Sequence, residues 1–364
     1  MTGKHRSRRE REHRRRKWPY FLLLLILLVG VGSYLFVTYG FQKRLAKPLA
    51  NLRNAPLKIP KKIIYCPLDG LQVSSEHLIQ RRPIIVKVEN LSDARPQSGL
   101  DKACIVYEAM AEGGITRFVA VYLCQDADEI GPVRSARLQD IDLVREYDAL
   151  FAHVGSSDAY AVEAGKDIAS LDEFAYTSSY WRSKDRLAPH NVYTSTTKLR
   201  DTAGKEGLER EVSLRGFTFK RDEPGKGKVT SLLIPYPADC DTLYEYDTRS
   251  NAFLRTVHGQ PHEDKVTGAR LAAKNIIVQY VSYTYSDFGE DYGMGGRQVL
   301  NLVGEGRAQI FRDGEVIEAK WSKVSPAQPT NFTDAVGNPI IFDRGQIWIE
   351  FVPDNWEIQI TQNP

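Results

Sequence analysis

The chain has 364 residues, with 49 Lys/Arg against 46 Asp/Glu, 42% hydrophobic residues and 10% aromatics. Nine Lys/Arg and two Glu fall within the first 17 residues, a local net of +7, so the chain's overall +3 leaves residues 18–364 at −4. That excludes a basic nucleic-acid-binding body, which needs clustered positive charge on a folded domain, and the apolar content excludes a disordered chain.

Residues 1–17 are expected to form a basic cytoplasmic tail. The next segment, 18–41, has no charge from Pro19 to Phe41 and places Trp18, Tyr20, Tyr34 and Tyr39 towards its edges. About 20 apolar residues suffice to cross a hydrocarbon core, and amphipathic rings favour the headgroup layer. Cationic flanks stay cytoplasmic, and Lys43, Arg44 and Lys47 are outnumbered by the tail. The reading is an uncleaved signal anchor, single-pass, N-terminus inside and the bulk of the chain extracytoplasmic. No small-x-small cleavage site is evident after the apolar run, and no Cys follows it at a lipidation spacing. Residues 42–62 mix Lys, Pro and Asn without sustained periodicity and read as a linker.

The remainder is long enough for two domains. In the first, 63–222, the runs at 82–90, 103–110 and 116–124 are rich in β-branched and apolar residues and read as strands. Leu138, Ile141, Val144 and Tyr147 then recur every three residues, predicting a helix that begins near Ser135. Residues 149–155 form a further strand, Ser156 or Ser157 caps a short helix to about Ile168, and Thr194 or Ser195 caps another through Glu209. In the second domain, 223–364, apolar and polar residues alternate between turn residues, with hairpins at Asp247–Asn251 and Asp313-Gly314. The Gly-rich stretch 286–296 lacks the order of a phosphate-binding loop and reads as a surface connection. The fold class is α+β: an N-terminal transmembrane helix, a mixed α/β first domain with an antiparallel hairpin, and a β-rich second domain.

Cys66, Cys104, Cys124 and Cys240 are too few and too scattered for a disulfide framework or a zinc site. A three-residue turn at Gly113-Gly114 would place Cys104 opposite Cys124 and permit a bridge between them; a two-residue turn would not.

The strings RPIIVKVEN, IVYEAMAEGGITRFVAVY, IGPVRSAR, EYDALFAHVG and APHNVYTS, with GQPHEDKVTG, LVGEGRAQIFRDGEVIEAKW and GQIWIEFVP further on, resemble the YerB-like family of bacterial cell-envelope proteins. The resemblance runs from Cys66 to Pro353 and implies a two-domain body, an envelope location and a link to peptidoglycan biology. Many relatives use a lipidated Cys where this chain has a helix. The resemblance supplies no reaction.

The polar constellation of the first domain is Glu108, Glu112, Arg117, Arg134, Arg137, Asp140, Asp142, His153, Arg186, His190 and Asn191. Arg134 and Arg137 flank the expected helix start, where a cation is disfavoured unless an anion is shared with the free N–H groups. That anion is either external or the carboxylate of Glu108 or Glu112. The ligand contacts expected are Arg134 and Arg137 on the anion, Glu108 orienting them, Arg117, Arg186 and Asn191 alongside, and Trp181 with His190 at the rim. If the protein is an enzyme, Glu108, Glu112, His153 and His190 are its acid/base candidates, the two Glu sharing one strand face. No ligand motif places a metal, and no cofactor is implied. Three readings follow: a module binding a cell-wall component or wall-synthesis protein, an enzyme acting on peptidoglycan or another envelope glycan, or a non-catalytic scaffold.

Overall fold

The computed structural model describes residues 8–53, 63–164, 167–286 and 297–364. It divides into two compact units, Met1–Lys62 and Ile63–Pro364. Among the described residues the first is one helix, Arg8–Arg53. Its Pro19–Arg44 stretch, 26 residues whose most apolar 18-residue window has mean hydropathy 2.5 and is not buried, is long and apolar enough to cross a membrane. The helix runs past the expected end of the anchor and takes in 42–53 of the expected linker.

The body is built around a ten-stranded mixed sheet. Its strand order is Asn331–Asp334, Glu315–Lys323, Gly304–Arg312, Asn275–Val281, Ile347–Pro353, Ile105–Met110, Thr116–Tyr122, Ile84–Glu89, Leu150–His153 and Ala169–Asp172. Strands from both halves of the chain therefore share one sheet, joined where Ile347–Pro353 runs parallel to Ile105–Met110. These two strands and Ile84–Glu89 are buried along their whole length, as expected for strands covered on both faces. Alternation sorts their side chains. Val86, Val106, Phe118 and Trp348 face one core, shared with Leu232, Tyr244 and Phe253 of a second, six-stranded sheet. Ile85, Tyr107, Val119 and Ile349 face another, shared with Ile141, Val144 and Tyr147 of the helix Asp140–Tyr147.

The fold class is as expected, with few helices and a β-rich bulk. The three expected strands appear as Ile84–Glu89, Ile105–Met110 and Thr116–Tyr122. Both hairpins form: Asp247 pairs with Ala252, and Arg312 with Glu315 across a two-residue turn. At that turn Asp313 and Gly314 take φ of 52° and 74°, the left-handed pair this hairpin needs. A Cβ on Gly314 would lie 2.6 Å from the Tyr246 ring. Ser195 caps the helix Thr196–Lys205 by accepting from the Lys198 N–H. The Gly-rich stretch lies outside the described residues from 287 onward.

Two local expectations are corrected. The helix expected from Ser135 starts at Asp140, because the preceding backbone is engaged elsewhere: Arg134 N–H donates to Lys87 O, and Ala136 N–H to Gly155 O. The turn around Gly113-Gly114 links Met110 to Thr116, a register that sets Ile105 opposite Val121 and so carries Cys124 past Cys104. All four cysteines are free, and Cys104 meets Cys66 instead, Sγ to Sγ 3.9 Å.

Candidate functional site

The expected site residues separate onto two faces of the central sheet. Lys87, Glu89 and Arg117 follow the parity of Ile85 and Val119 and lie on the helix side; Glu108 follows Val106 and points the other way.

On the helix side, Lys87 and Asp140 form a fully buried ion pair at 2.7 Å. Burial pulls the Lys87 pKa down while Asp140 supports its charge. The second Asp140 oxygen accepts from the Arg137 N–H at 2.7 Å. Glu112 takes a two-point contact from the Arg137 guanidinium and lies 3.5 Å from Arg117. Burial works against the Glu112 charge, but these guanidiniums outweigh it and bring its pKa to about 2. Arg117 moves to about 10, from desolvation first and then from the nearby positive charges of Arg137 and Arg134. Glu89 ends its strand between Arg134, at 3.1 Å, and His190 Nδ1, at 2.9 Å.

The His190 loop is pinned over this cluster. Arg186 donates to the carbonyls of Ala94 and Pro96. Asn191 donates to Ser183 O and accepts from Arg182. Trp181 is half-buried and stacks on buried Tyr193 with ring centres 6.2 Å apart. The structure thus sets Arg134 and His190 on Glu89 and Arg137 and Arg117 on Glu112, with Arg117 sensing both carboxylates. The internal-carboxylate alternative describes the ion pairs of both arginines, with Glu89 in the place expected for Glu108.

His153 lies apart, buried, with Nδ1 on Gly155 O at 2.8 Å and Nε2 on Ser170 Oγ at 2.7 Å. Desolvation lowers its pKa, which favours the neutral ring.

Glu108 belongs to an interior network on the opposite face. Its carboxylate meets Arg255 at 2.5 Å and accepts from Asn90 and Thr116. Arg255 also meets Glu350 at 3.3 Å, lies over the Trp348 ring and donates to His262 Nδ1 at 2.9 Å. All three charged side chains are fully buried. Glu112 sits in a turn past the end of the Glu108 strand, so the two do not share a strand face. Sequence reasoning did not single out Arg255, Glu350, His262 or Glu89. Only Glu89 left a sequence signal, the Lys87/Glu89 alternation inside an apolar run.

A groove of about 1050 Å³ lies elsewhere, lined among others by Glu146, Asp148, Arg210, Phe217, Phe332 and Phe342, and contains none of the expected site residues.

Family models described as "Protein of unknown function (DUF3048)" match this chain, the N-terminal domain over residues 68–209 and the C-terminal domain over 232–349. The chain is 32% identical over 299 residues to a Bacillus subtilis protein described as "Putative lipoprotein YerB", covering 80% of this chain and 87% of that one. The chain belongs to the YerB-like family. The crystal structure of Bacillus subtilis YerB superposes with a TM-score of 0.72 at 30% identity, over 82% of this chain and all of that one. The two matched regions meet the two-domain organisation of the family, while their strands join in one central sheet. With the apolar helix, a relative of that description points to membrane association.

Proposed function

We propose that this YerB-like protein is a membrane-anchored envelope protein, N-terminus cytoplasmic and body extracytoplasmic, that binds an acidic cell-wall component or wall-synthesis protein. The contact surface is the Glu89-centred cluster, with Arg134 and His190 partly exposed and Trp181 at the rim. The observation that carries this reading is a surplus of donors. Three guanidiniums crowd around Glu89 and Glu112, and among the described residues Arg117 Nη1 is buried without a hydrogen-bond partner. Crowded like charges and an unmet donor are relieved by an added carboxylate or phosphate. The acid/base reading draws less support, since Glu112 is held ionised and Glu108 is locked to Arg255.

The test is co-sedimentation of the full chain, in detergent, with isolated peptidoglycan, followed by mass spectrometry of the supernatant. Bound protein that Arg134→Ala releases without lowering its melting temperature supports the reading. Released muropeptides would replace it with an enzyme, and neither binding nor product would leave the scaffold.

A further inference from the structure

Two of the four cysteines, far apart in sequence, meet in the body beside a buried carboxylate. Cys66 opens the turn Cys66-Pro67-Leu68-Asp69-Gly70 between the short strands Ile64–Tyr65 and Gln72–Val73. Cys104 directly precedes the strand Ile105–Met110. One ligand atom from each of Cys66, Asp69 and Cys104 lies within 4.8 Å of the others, and all three residues are buried.

Backbone hydrogen bonds hold the turn in shape. Gly70 N–H donates to Cys66 O at 2.9 Å, Gly345 N–H to Asp69 O at 2.7 Å, and Phe217 N–H to Pro67 O at 3.0 Å. Gly70 has φ +68°, and a Cβ there would lie 2.5 Å from the Phe219 ring. Asp69 is 1% exposed. Its carboxylate accepts the Leu71 N–H at 2.9 Å, and among the described residues no basic side chain pairs with it. A buried carboxylate facing thiols lacks the counter-charge that buried anions require. The Cys-x-x-Asp step gives two ligands at a spacing used by zinc-binding turns. A tetrahedral centre with metal–sulfur bonds of about 2.3 Å has a sulfur–sulfur edge of about 3.8 Å. The Cys66–Cys104 separation of 3.9 Å fits that edge, whereas a disulfide needs about 2.05 Å.

We propose that Cys66, Asp69 and Cys104 form a structural site for a thiophilic divalent cation of the zinc class, with solvent completing the coordination. Binding exchanges the thiol protons of Cys66 and Cys104 for the metal and releases them to solvent. The cation fastens the first hairpin of the body to its central sheet.

The test uses the full chain in detergent, stripped with a chelator and titrated with Co(II), then Zn(II). One equivalent of Co(II) should produce thiolate-to-cobalt charge-transfer absorption that Zn(II) abolishes, and Zn(II) should raise the melting temperature. Cys104→Ser should remove the absorption, and the isosteric Asp69→Asn should weaken uptake by at least about tenfold. Cys240→Ser, outside the cluster, should leave it unchanged. Absence of the absorption while four thiols titrate in the unfolded chain overturns the site. So does an untreated protein lighter by two hydrogens, with Cys66 and Cys104 in one linked peptide.

Discussion

Glu108 and Glu350 stand opposite one another in register on neighbouring parallel strands, and the Arg255 guanidinium contacts both. One cation facing two buried carboxylates leaves a proton to be accommodated. Desolvation, and then the charge of Glu108, push the Glu350 pKa up to about 8. Tyr244 and Tyr236 supply hydroxyls to the same carboxyl group.

Arg255→Ala should therefore be severely destabilising, by roughly 3–5 kcal/mol, because it leaves the carboxylates without a cation. Glu350→Gln should be far milder near neutral pH, since the amide imitates the protonated acid. Urea unfolding of both variants checks the contrast.

The same shift fixes a pH dependence. Folding raises the Glu350 pKa from 4.5 to about 8, so the folded state holds the proton longer. Its contribution is complete below the lower value and is lost as pH rises through the upper one. The wild-type melting temperature should fall across that window, and Glu350→Gln should flatten the fall.

Glu112 carries the opposite sign. Its pKa falls on folding from 4.5 to about 2, so its stabilisation is present above the higher value and lost as pH drops towards the lower one. Its side chain is 33% exposed, which leaves the contribution near ~1 kcal/mol. Glu112→Gln should cost about that at neutral pH and leave a shallower acid limb in a thermal scan.

The buried Lys87–Asp140 pair should behave as a unit. Lys87→Met alone strands an anion beneath the helix and should cost about 3–5 kcal/mol. Adding Asp140→Leu should recover part of that loss, although the Arg137 N–H then loses its acceptor. A double-mutant cycle measures the coupling.

Topology is open to direct assay. A phosphatase that folds only outside the cytoplasm, fused after Pro364, should be active. Deleting residues 1–62 before expression should leave it inactive and the body in the aqueous fraction.

The sequence made the apolar helix, the hairpins and most strands of the first half readable, because each depends on a local period or turn residue. It did not reveal that Ile347–Pro353 runs beside Ile105–Met110, since a parallel pairing between distant segments leaves no local mark. The candidate site was legible in part. Arg137 does meet Glu112, but the partner of Arg134 and His190 is Glu89, and Glu108 faces away through the alternation of its own strand. The contact between Cys66 and Cys104 was equally hidden, because it depends on where a short hairpin lands.

The late strand also constrains the order of synthesis. Ile105–Met110 leaves the ribosome about 240 residues before Ile347–Pro353, the neighbour that completes one of its edges. Non-local pairing of this kind slows folding and leaves an open edge exposed to wrong partners. The nascent body must hold that edge unfilled until nearly the whole chain has emerged. Premature termination anywhere before Ile347 therefore leaves a sticky, unfinished sheet rather than a smaller working protein.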